Sequence, residues 1–179
     1  MLKKLIVAGL ALAIIGCASE PKEEKMKASK AKETADGAKA AVYAKETYDA
    51  GMSAWTAAEA SNGKKDYDKA KKSYMEAEAK FKAAATEAPD KEKAAMEEAG
   101  KMMESMKADK ESMMKDRMFM MAMKGKDKAK YEAMMKEAED MMTEASGMME
   151  TDAIGAMEKM NMAKAKMDEM MGMMKPGRK

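Results

Sequence analysis

Between about residue 31 and residue 88, apolar side chains recur at steps of three or four residues, the period of an α-helix. One run, with an offset after Val42, combines small and aromatic residues: Ala31, Ala35, Ala38, Val42, Tyr48, Met52, Trp55 and Ala58. A second run has the same character: Tyr67, Ala70, Tyr74, Ala77, Phe81, Ala84 and Ala88. Each run predicts one helix with a single apolar face, and alanine on that face lets two helices approach closely.

The residues between the two runs are typical of a tight connection. Ser61-Asn62-Gly63 has turn chemistry, and Gly63 is predicted to end the first helix in a left-handed conformation. Asp66 is predicted to cap the second helix, and Pro89 to stop it. Residues 31–88 are therefore expected to form an antiparallel helical hairpin.

After Pro89 the apolar positions are occupied mainly by methionine, because residues 96–174 hold 24 of the 28 methionines. Adjacent pairs share one seven-residue register: Met113-Met114, Met120-Met121, Met134-Met135, Met141-Met142 and Met148-Met149. This spacing predicts two or three methionine-rich helices over residues 90–174, packed as a hairpin or bundle. Helix breaks are expected at three places: Gly125-Lys126-Asp127, Gly147 or Thr151-Asp152, and around Gly155.

The predicted fold class is therefore all-α. Residues 18–30 contain almost no apolar side chains, so residues 17–30 are predicted to form a polar tether. The basic residues 175–179 are predicted to form a frayed tail.

Part of the second predicted helix resembles a known repeat. Asp66-Tyr67-Asp68-Lys69-Ala70, followed by Tyr74 and Ala77, resembles the second helix of a tetratricopeptide repeat. The first helix departs from the repeat pattern, because Trp55 falls one position late and no Leu-Gly pair precedes the turn. The resemblance implies a hairpin similar to that of a tetratricopeptide repeat.

A second set of positions combines glycine, alanine and tyrosine around the same turn: Gly37-Ala38, Tyr43-Ala44, Ala50, Ala57-Ala58, Gly63, Asp66-Tyr67 and Ala70. Over about residues 30–88 this set resembles the DUF4398 family of small bacterial envelope lipoproteins. The resemblance implies a helical envelope lipoprotein with no assigned chemistry.

The first seventeen residues have the layout of a secretory signal. Lys3 and Lys4 precede an apolar run of about a dozen residues, which is shorter than the roughly twenty needed to span a bilayer. The run ends in Ile14, Ile15, Gly16 and Cys17, an order that resembles the bacterial lipobox. The resemblance implies that residues 1–16 are removed as a signal peptide and that a lipid is attached to Cys17.

The residues after the cysteine bear on the membrane that would hold the anchor. Ala18 and Ser19 stand where an inner-membrane retention signal would place aspartate. By analogy with enteric bacteria, the expected location is the outer membrane, with the protein facing the periplasm.

Composition excludes several classes of function. Without Lys3 and Lys4 the chain carries 32 basic and 32 acidic side chains, so it lacks the basic excess typical of nucleic-acid-binding proteins. The chain contains no histidine, and Cys17 is its only cysteine. Hydrolases built on a Ser-His or Cys-His pair are therefore excluded, and zinc sites are strongly disfavoured. No catalytic residue is predicted.

Two hypotheses account for the methionines. Thioethers bind Cu(I) and Ag(I) without deprotonation, and helical spacing would bring several sulfurs to one face: Met103, Met106, Met120, Met123, Met157, Met160, Met167, Met170 and Met174. The favoured hypothesis is that methionine forms the core, because the chain contains no leucine after Leu12 and few other large apolar residues after residue 90. Binding of varied hydrophobic partners and reversible consumption of oxidants are further hypotheses.

The sequence thus predicts a membrane-anchored, non-enzymatic module for structural support or protein interaction. Its expected partners are the membrane, through the lipid, and an envelope protein or a second copy of the chain. The alternative is a Cu(I)- or Ag(I)-binding tolerance protein or an oxidant sink. Apart from the lipid, a cofactor is expected only under the metal alternative.

Overall fold

The computed structural model describes residues 19–125 and 127–174, except for the side chain of Met174. Over these residues the chain forms helices and no strand, which confirms the predicted all-α fold class. The helices are α1 (Lys22–Gly37), α2 (Ala40–Tyr43), α3 (Lys45–Gly63), α4 (Tyr67–Lys115), α5 (Arg117–Ala122), α6 (Lys128–Met148) and α7 (Ala153–Met174). None of these helices is long and apolar enough to cross a membrane. The predicted signal peptide, lipobox, lipid-bearing Cys17 and basic tail lie outside the described residues.

The chain divides into two compact units, with the boundary between Ala85 and Thr86. Helix α4 is continuous across this boundary, so each unit contains part of it.

The first unit packs α1, α3 and the beginning of α4. Lys25, early in α1, pairs with Glu59, late in α3, and the hydroxyl of Tyr48 reaches Asp36 near the end of α1. These pairings show that α1 and α3 are antiparallel. The core consists mainly of alanines and three aromatic residues: Ala28, Ala31, Ala35, Tyr43, Ala54, Ala58, Ala70, Tyr74, Ala77 and Phe81.

The predicted hairpin between α3 and α4 is present. The rings of Tyr48 and Phe81 meet edge to face at a centroid distance of 5.4 Å, and those of Trp55 and Tyr74 at 5.5 Å. Tyr48 precedes Trp55 along α3, whereas their ring partners occur in the reverse order along α4. The two helices are therefore antiparallel. Asp66 accepts a hydrogen bond from the backbone N–H of Lys69, so it caps α4 as predicted.

The predicted tether is wrong for residues 22–30, which belong to helix α1. The prediction counted large apolar side chains, but α1 packs through small ones, and Ala28 is fully buried. Ion pairs to α3 and α4 also hold α1 in place: Lys25 to Glu59 at 2.9 Å, and Glu24 to Lys71 at 2.9 Å.

The first predicted helix is divided at Lys39 and again at Ala44, and the second division falls within the offset of the apolar pattern after Val42. Lys39 adopts a left-handed backbone conformation with φ 55°, which separates α1 from α2. As a result Tyr43 and Ala44 are buried, whereas Val42 is about half exposed. Helix α3 ends at Gly63 as expected, but the left-handed residue in the turn is Lys65, with φ 60°.

Pro89 does not stop the second helix, because α4 continues through it to Lys115. Proline removes one backbone hydrogen bond, here to the carbonyl of Ala85, which is the last residue of the first unit. Ala84 and Ala88 before the proline and Ala99 after it are fully buried. Packing on either side therefore outweighs the loss of one bond.

The second unit packs the later part of α4 with α6 and α7. Lys166 pairs with Glu137 at 2.9 Å, and Lys159 pairs with Glu144, so α6 and α7 are antiparallel. Lys110 of α4 pairs across to Glu139 of α6 at 2.7 Å. The core of this unit is mainly methionine and alanine, with Phe119 and Tyr131 in edge-to-face contact at one end.

Aspartates cap the helices that follow the first and the last connections of the second unit. Asp116 accepts a hydrogen bond from the N–H of Phe119 at 2.9 Å and starts α5, and Asp152 accepts one from the N–H of Gly155 at 2.9 Å and starts α7. A Cβ at Gly155 would lie 2.2 Å from Oδ2 of Asp152, so glycine makes room for the cap. The break expected at Gly147 or Thr151-Asp152 is confirmed at Thr151-Asp152, and the break expected at Gly125-Lys126-Asp127 is confirmed because α5 ends at Ala122 and α6 begins at Lys128. No separate break occurs at Gly155, which lies inside α7.

Candidate functional site

The predicted metal-binding methionines are mostly core residues of the second unit. Five of them are almost fully buried: Met103, Met106, Met160, Met167 and Met170. Met123 and Met157 pack against this core, and Met120 is exposed on α5. The side chain of Met174 lies outside the described residues. Burial of this kind supports the hypothesis that methionine takes the place of leucine in the core.

An open groove of about 770 Å³ runs between α4 and α6. We call it the methionine groove; its apolar side chains are Met103, Met114 and Met142, and Gly147 lies beside them. Met103 and Met142 belong to the buried core, whereas Met114 is 42% exposed. The groove therefore has a floor of buried core methionines and an exposed, flexible thioether side chain at Met114.

Charged and hydroxyl side chains surround the methionine groove. Lys107, Lys110 and Glu111 lie on the α4 side, and Glu139 and Thr143 on the α6 side. Both signs of charge are present, and the pair between Lys110 and Glu139 connects the two helices. An apolar channel with a mixed-charge rim is suited to the apolar face of an amphipathic helix.

A smaller cleft of about 240 Å³ lies between α4 and α7. We call it the α4–α7 cleft; three methionines from the two helices line it, namely Met113, Met167 and Met171. Three carboxylates and one ammonium group also line it: Asp109, Asp116, Asp168 and Lys164. Lys164 pairs with Asp168 at 3.3 Å. The cleft thus combines soft thioether donors with a net negative set of side chains.

Comparisons with protein-family models, with curated proteins and with solved structures gave no match. The resemblances to tetratricopeptide repeats and to the DUF4398 family remain predictions.

Acidic side chains of the described residues do not form a metal site, since no group of three or more is suitably placed.

The sequence did not reveal Met113 and Met171 as neighbours of Met167, because their proximity depends on how α4 and α7 pack. It also missed the methionine groove for the same reason. The seven-residue register that contains Met114 and Met142 is the one feature of the sequence that could have indicated the groove.

A hydrogen-bonded pair connects α3 and α4 in the first unit. The hydroxyl of Tyr74 donates to Glu59, which also accepts from Lys25 at 3.0 Å. The bond from Tyr74, followed by the contact with Lys25, holds the pKa of Glu59 below its ordinary value of 4.5. Burial, followed by the neighbouring Glu59 carboxylate, raises the pKa of Tyr74 above 10.0. The pair therefore stabilises the packing of these helices at neutral pH.

We expect this pair to contribute to the loss of stability of the first unit at both low and high pH. Because folding lowers the pKa of Glu59, its contribution is complete above pH 4.5 and is lost as the pH falls through the folded-state pKa. Because folding raises the pKa of Tyr74, its contribution is complete below pH 10.0 and is lost as the pH rises above that value. Urea unfolding followed by Trp55 fluorescence at several pH values measures both.

Tyr74→Phe should lower the free energy of unfolding by about 1 kcal/mol at neutral pH and weaken both pH dependences. Tyr67→Phe, at the start of α4, is the control and should change the free energy by less than about 0.5 kcal/mol. A Tyr74→Phe protein with an unchanged pH profile would contradict this role.

Methionine oxidation should follow exposure. Five methionines are more than half exposed: Met26, Met75, Met118, Met121 and Met162. Dilute hydrogen peroxide should convert these to sulfoxides first, while Met106, Met160 and Met170 react at least tenfold more slowly, since accessible sulfurs react more readily. Peptide mass spectrometry of timed samples measures each site. Equal rates at buried and exposed sites would mean that the core opens on the timescale of the reaction.

Proposed function

We propose that this chain is a non-enzymatic lipoprotein, anchored through Cys17, whose methionine groove binds the apolar face of a helix from another envelope protein. The observation that carries the proposal is the open groove between α4 and α6 with Met103, Met114 and Met142 along it. Grooves of this kind accept an amphipathic helix through residues spaced three or four apart.

The methionines support binding of more than one sequence. Methionine has three rotatable bonds and a polarisable sulfur, so it adapts to differently shaped apolar side chains. Met114 is the most exposed methionine of the groove and is well placed to contact a bound helix. The surrounding lysines and glutamates would fix the direction of that helix through its own charges.

Support for the anchor comes from the sequence, in which Ile14-Ile15-Gly16-Cys17 resembles a lipobox. Mass spectrometry of the protein without substitutions should find a diacylglycerol on Cys17, and Cys17→Ser should abolish incorporation of labelled fatty acid into the protein. An unmodified Cys17 in a protein that remains with the membrane would refute the anchor.

Site-specific photocrosslinking tests the groove. A photoreactive amino acid at Met114 should give one or a few discrete products in intact cells. The same amino acid at Met162, which is 56% exposed on α7 of the same unit, is the matched control and should give none of these products. A product of twice the chain's mass would identify the partner as a second copy. Identical product patterns at both positions would refute a specific role for the groove.

A second candidate function is the binding of Cu(I) or Ag(I), and the α4–α7 cleft is the observation that favours it. Thioethers are preferred donors for these soft cations, and the nearby aspartates would favour positive charge. Met113, Met167 and Met171 would hold the ion, and of these three only Met167 was among the methionines predicted from spacing.

Titration with Cu(I) against a chromophoric chelator tests the metal candidate. The soluble form, residues 18–179, should compete stoichiometrically, and Met113→Leu/Met171→Leu should compete much less, because leucine keeps the volume but lacks the sulfur. Met75→Leu/Met162→Leu is the control, since both residues are exposed and lie outside the cleft. If the protein without substitutions does not compete with the chelator for Cu(I), the metal-binding candidate is refuted.

A further inference from the structure

The first unit carries a groove on the side of α1 that faces Trp55. We call it the anchor-side groove; it has a volume of about 600 Å³ and is lined by Lys22, Lys25, Met26, Lys30, Glu33 and Trp55. The residues of α1 recur at three- and four-residue steps, so they form one face of the helix.

The distance from this groove to the proposed lipid is limited by the chain itself. Pro21 is already buried, and α1 begins at Lys22. Three residues lie between Cys17 and Pro21, so four Cα-to-Cα steps allow at most about 14 Å between their Cα atoms. A lipid on Cys17 would therefore hold the start of α1 against the membrane surface. A fourteen-residue tether would have left the unit free to move away.

The charges of the anchor-side groove suit an anionic surface. Three lysines and one glutamate line it. The acidic residues of the first turn of α1 are paired elsewhere, Glu23 with Lys27 at 2.6 Å and Glu24 with Lys71 at 2.9 Å. Lys22 and Lys25 do have carboxylate partners, Glu20 and Glu59 respectively, but these pairs are partly or largely exposed. The pair of Lys22 with Glu20 is the more exposed of the two and contributes little, so phosphate groups can compete for Lys22.

The apolar residues of the groove suit the same surface. Met26 is 65% exposed, although it is a large apolar side chain. Trp55 is half-buried, with its ring edge to face on Tyr74. Tryptophan favours the boundary between lipid headgroups and acyl chains, and lysine favours anionic headgroups.

We propose that the anchor-side groove is a second membrane contact, in which Lys22 and Lys30 bind anionic phospholipid headgroups while Met26 and Trp55 enter the lipid interface. This inference rests on the proposed lipidation of Cys17. A lipid chain and a basic, partly apolar patch then act together, which is how stable peripheral attachment is usually achieved.

Trp55 provides a direct test, because it is the only tryptophan of the chain. The full lipid-bearing protein is placed in vesicles of phosphatidylethanolamine and phosphatidylglycerol, with and without bromine on the acyl chains. Bromine should quench at least half of the Trp55 emission, and the emission should shift to shorter wavelength relative to the lipid-free form, residues 18–179.

The charge requirement is tested with matched variants. Lys22→Gln/Lys30→Gln should reduce the quenching at least twofold. Lys45→Gln/Lys80→Gln removes the same charge from other positions of the unit and should leave the quenching unchanged. Replacing phosphatidylglycerol by phosphatidylcholine should have the same effect as the Lys22 and Lys30 changes.

Mass spectrometry of the reconstituted protein separates this inference from the proposed function. A diacylglycerol on Cys17 without bromine quenching would overturn the membrane contact and leave the anchor in place. A blue shift that grows with protein concentration, again without quenching, would show that a second copy covers the groove and would also overturn it. A Cys17 without lipid would overturn both proposals.

Discussion

Met160→Ala is expected to lower the free energy of unfolding of the second unit by about 2–5 kcal/mol. Met160 lies on α7 and is fully buried among the methionines and alanines of the core. Removing most of its side chain takes away apolar burial and leaves a cavity that the surrounding helices fill only in part. Urea unfolding by circular dichroism measures the loss, and hydrogen exchange with mass spectrometry assigns it to residues 86–174.

Two controls show whether packing or sulfur chemistry explains the effect. Met160→Leu keeps the volume and should cost less than about 1.5 kcal/mol. Met162→Ala, two residues along the same helix but 56% exposed, should change the free energy by less than about 0.5 kcal/mol. If Met160→Leu is as damaging as Met160→Ala, the thioether has a role beyond filling space, and the packing hypothesis fails at this position.

Gly51→Val should destabilise the first unit by about 3 kcal/mol. A Cβ at Gly51 would lie 2.8 Å from two ring carbons of Phe81, and that ring is fully buried with Tyr48 against it. Valine adds two more carbons beside this buried ring, which would have to shift to accommodate them. Urea unfolding followed by the fluorescence of Trp55, one helical turn away, measures the loss.

Gly37→Val is the matched control, because a Cβ at Gly37 meets nothing within 4 Å. We expect it to change the free energy of unfolding by less than about 0.5 kcal/mol. If the clash with Phe81 is the cause at Gly51, a Phe81→Leu background should reduce the cost of Gly51→Val. Equal costs in both backgrounds would place the cause elsewhere in the unit.

The fold could be predicted from the sequence where apolar residues recur at helical spacing and the helix that packs against them is close in the chain. The hairpin of α3 and α4 is such a case, since its alanine and aromatic positions and the cap at Asp66 are all local signals. The start of α1 and the passage of α4 through Pro89 were predicted wrongly. Both depend on packing between helices, which outweighs a polar composition in one case and a missing hydrogen bond in the other.

The candidate site was less predictable than the fold. Spacing along one helix identified Met167 and Met170, but the α4–α7 cleft instead combines Met167 with Met113 and Met171. The methionine groove likewise pairs Met103 and Met114 of α4 with Met142 of α6. A periodic pattern shows which face of a helix is apolar, whereas the neighbour across that face is set by loop length and by pairs such as Lys110 and Glu139.

A core made of methionine gives the second unit an internal record of its own opening. A sulfur such as that of Met170 meets dissolved oxidant only when the helices separate, and each meeting leaves a sulfoxide that persists until it is reduced. The fraction of sulfoxide at a buried position thus accumulates with the time the bundle has spent open. A core of leucine would keep no such chemical trace of its opening.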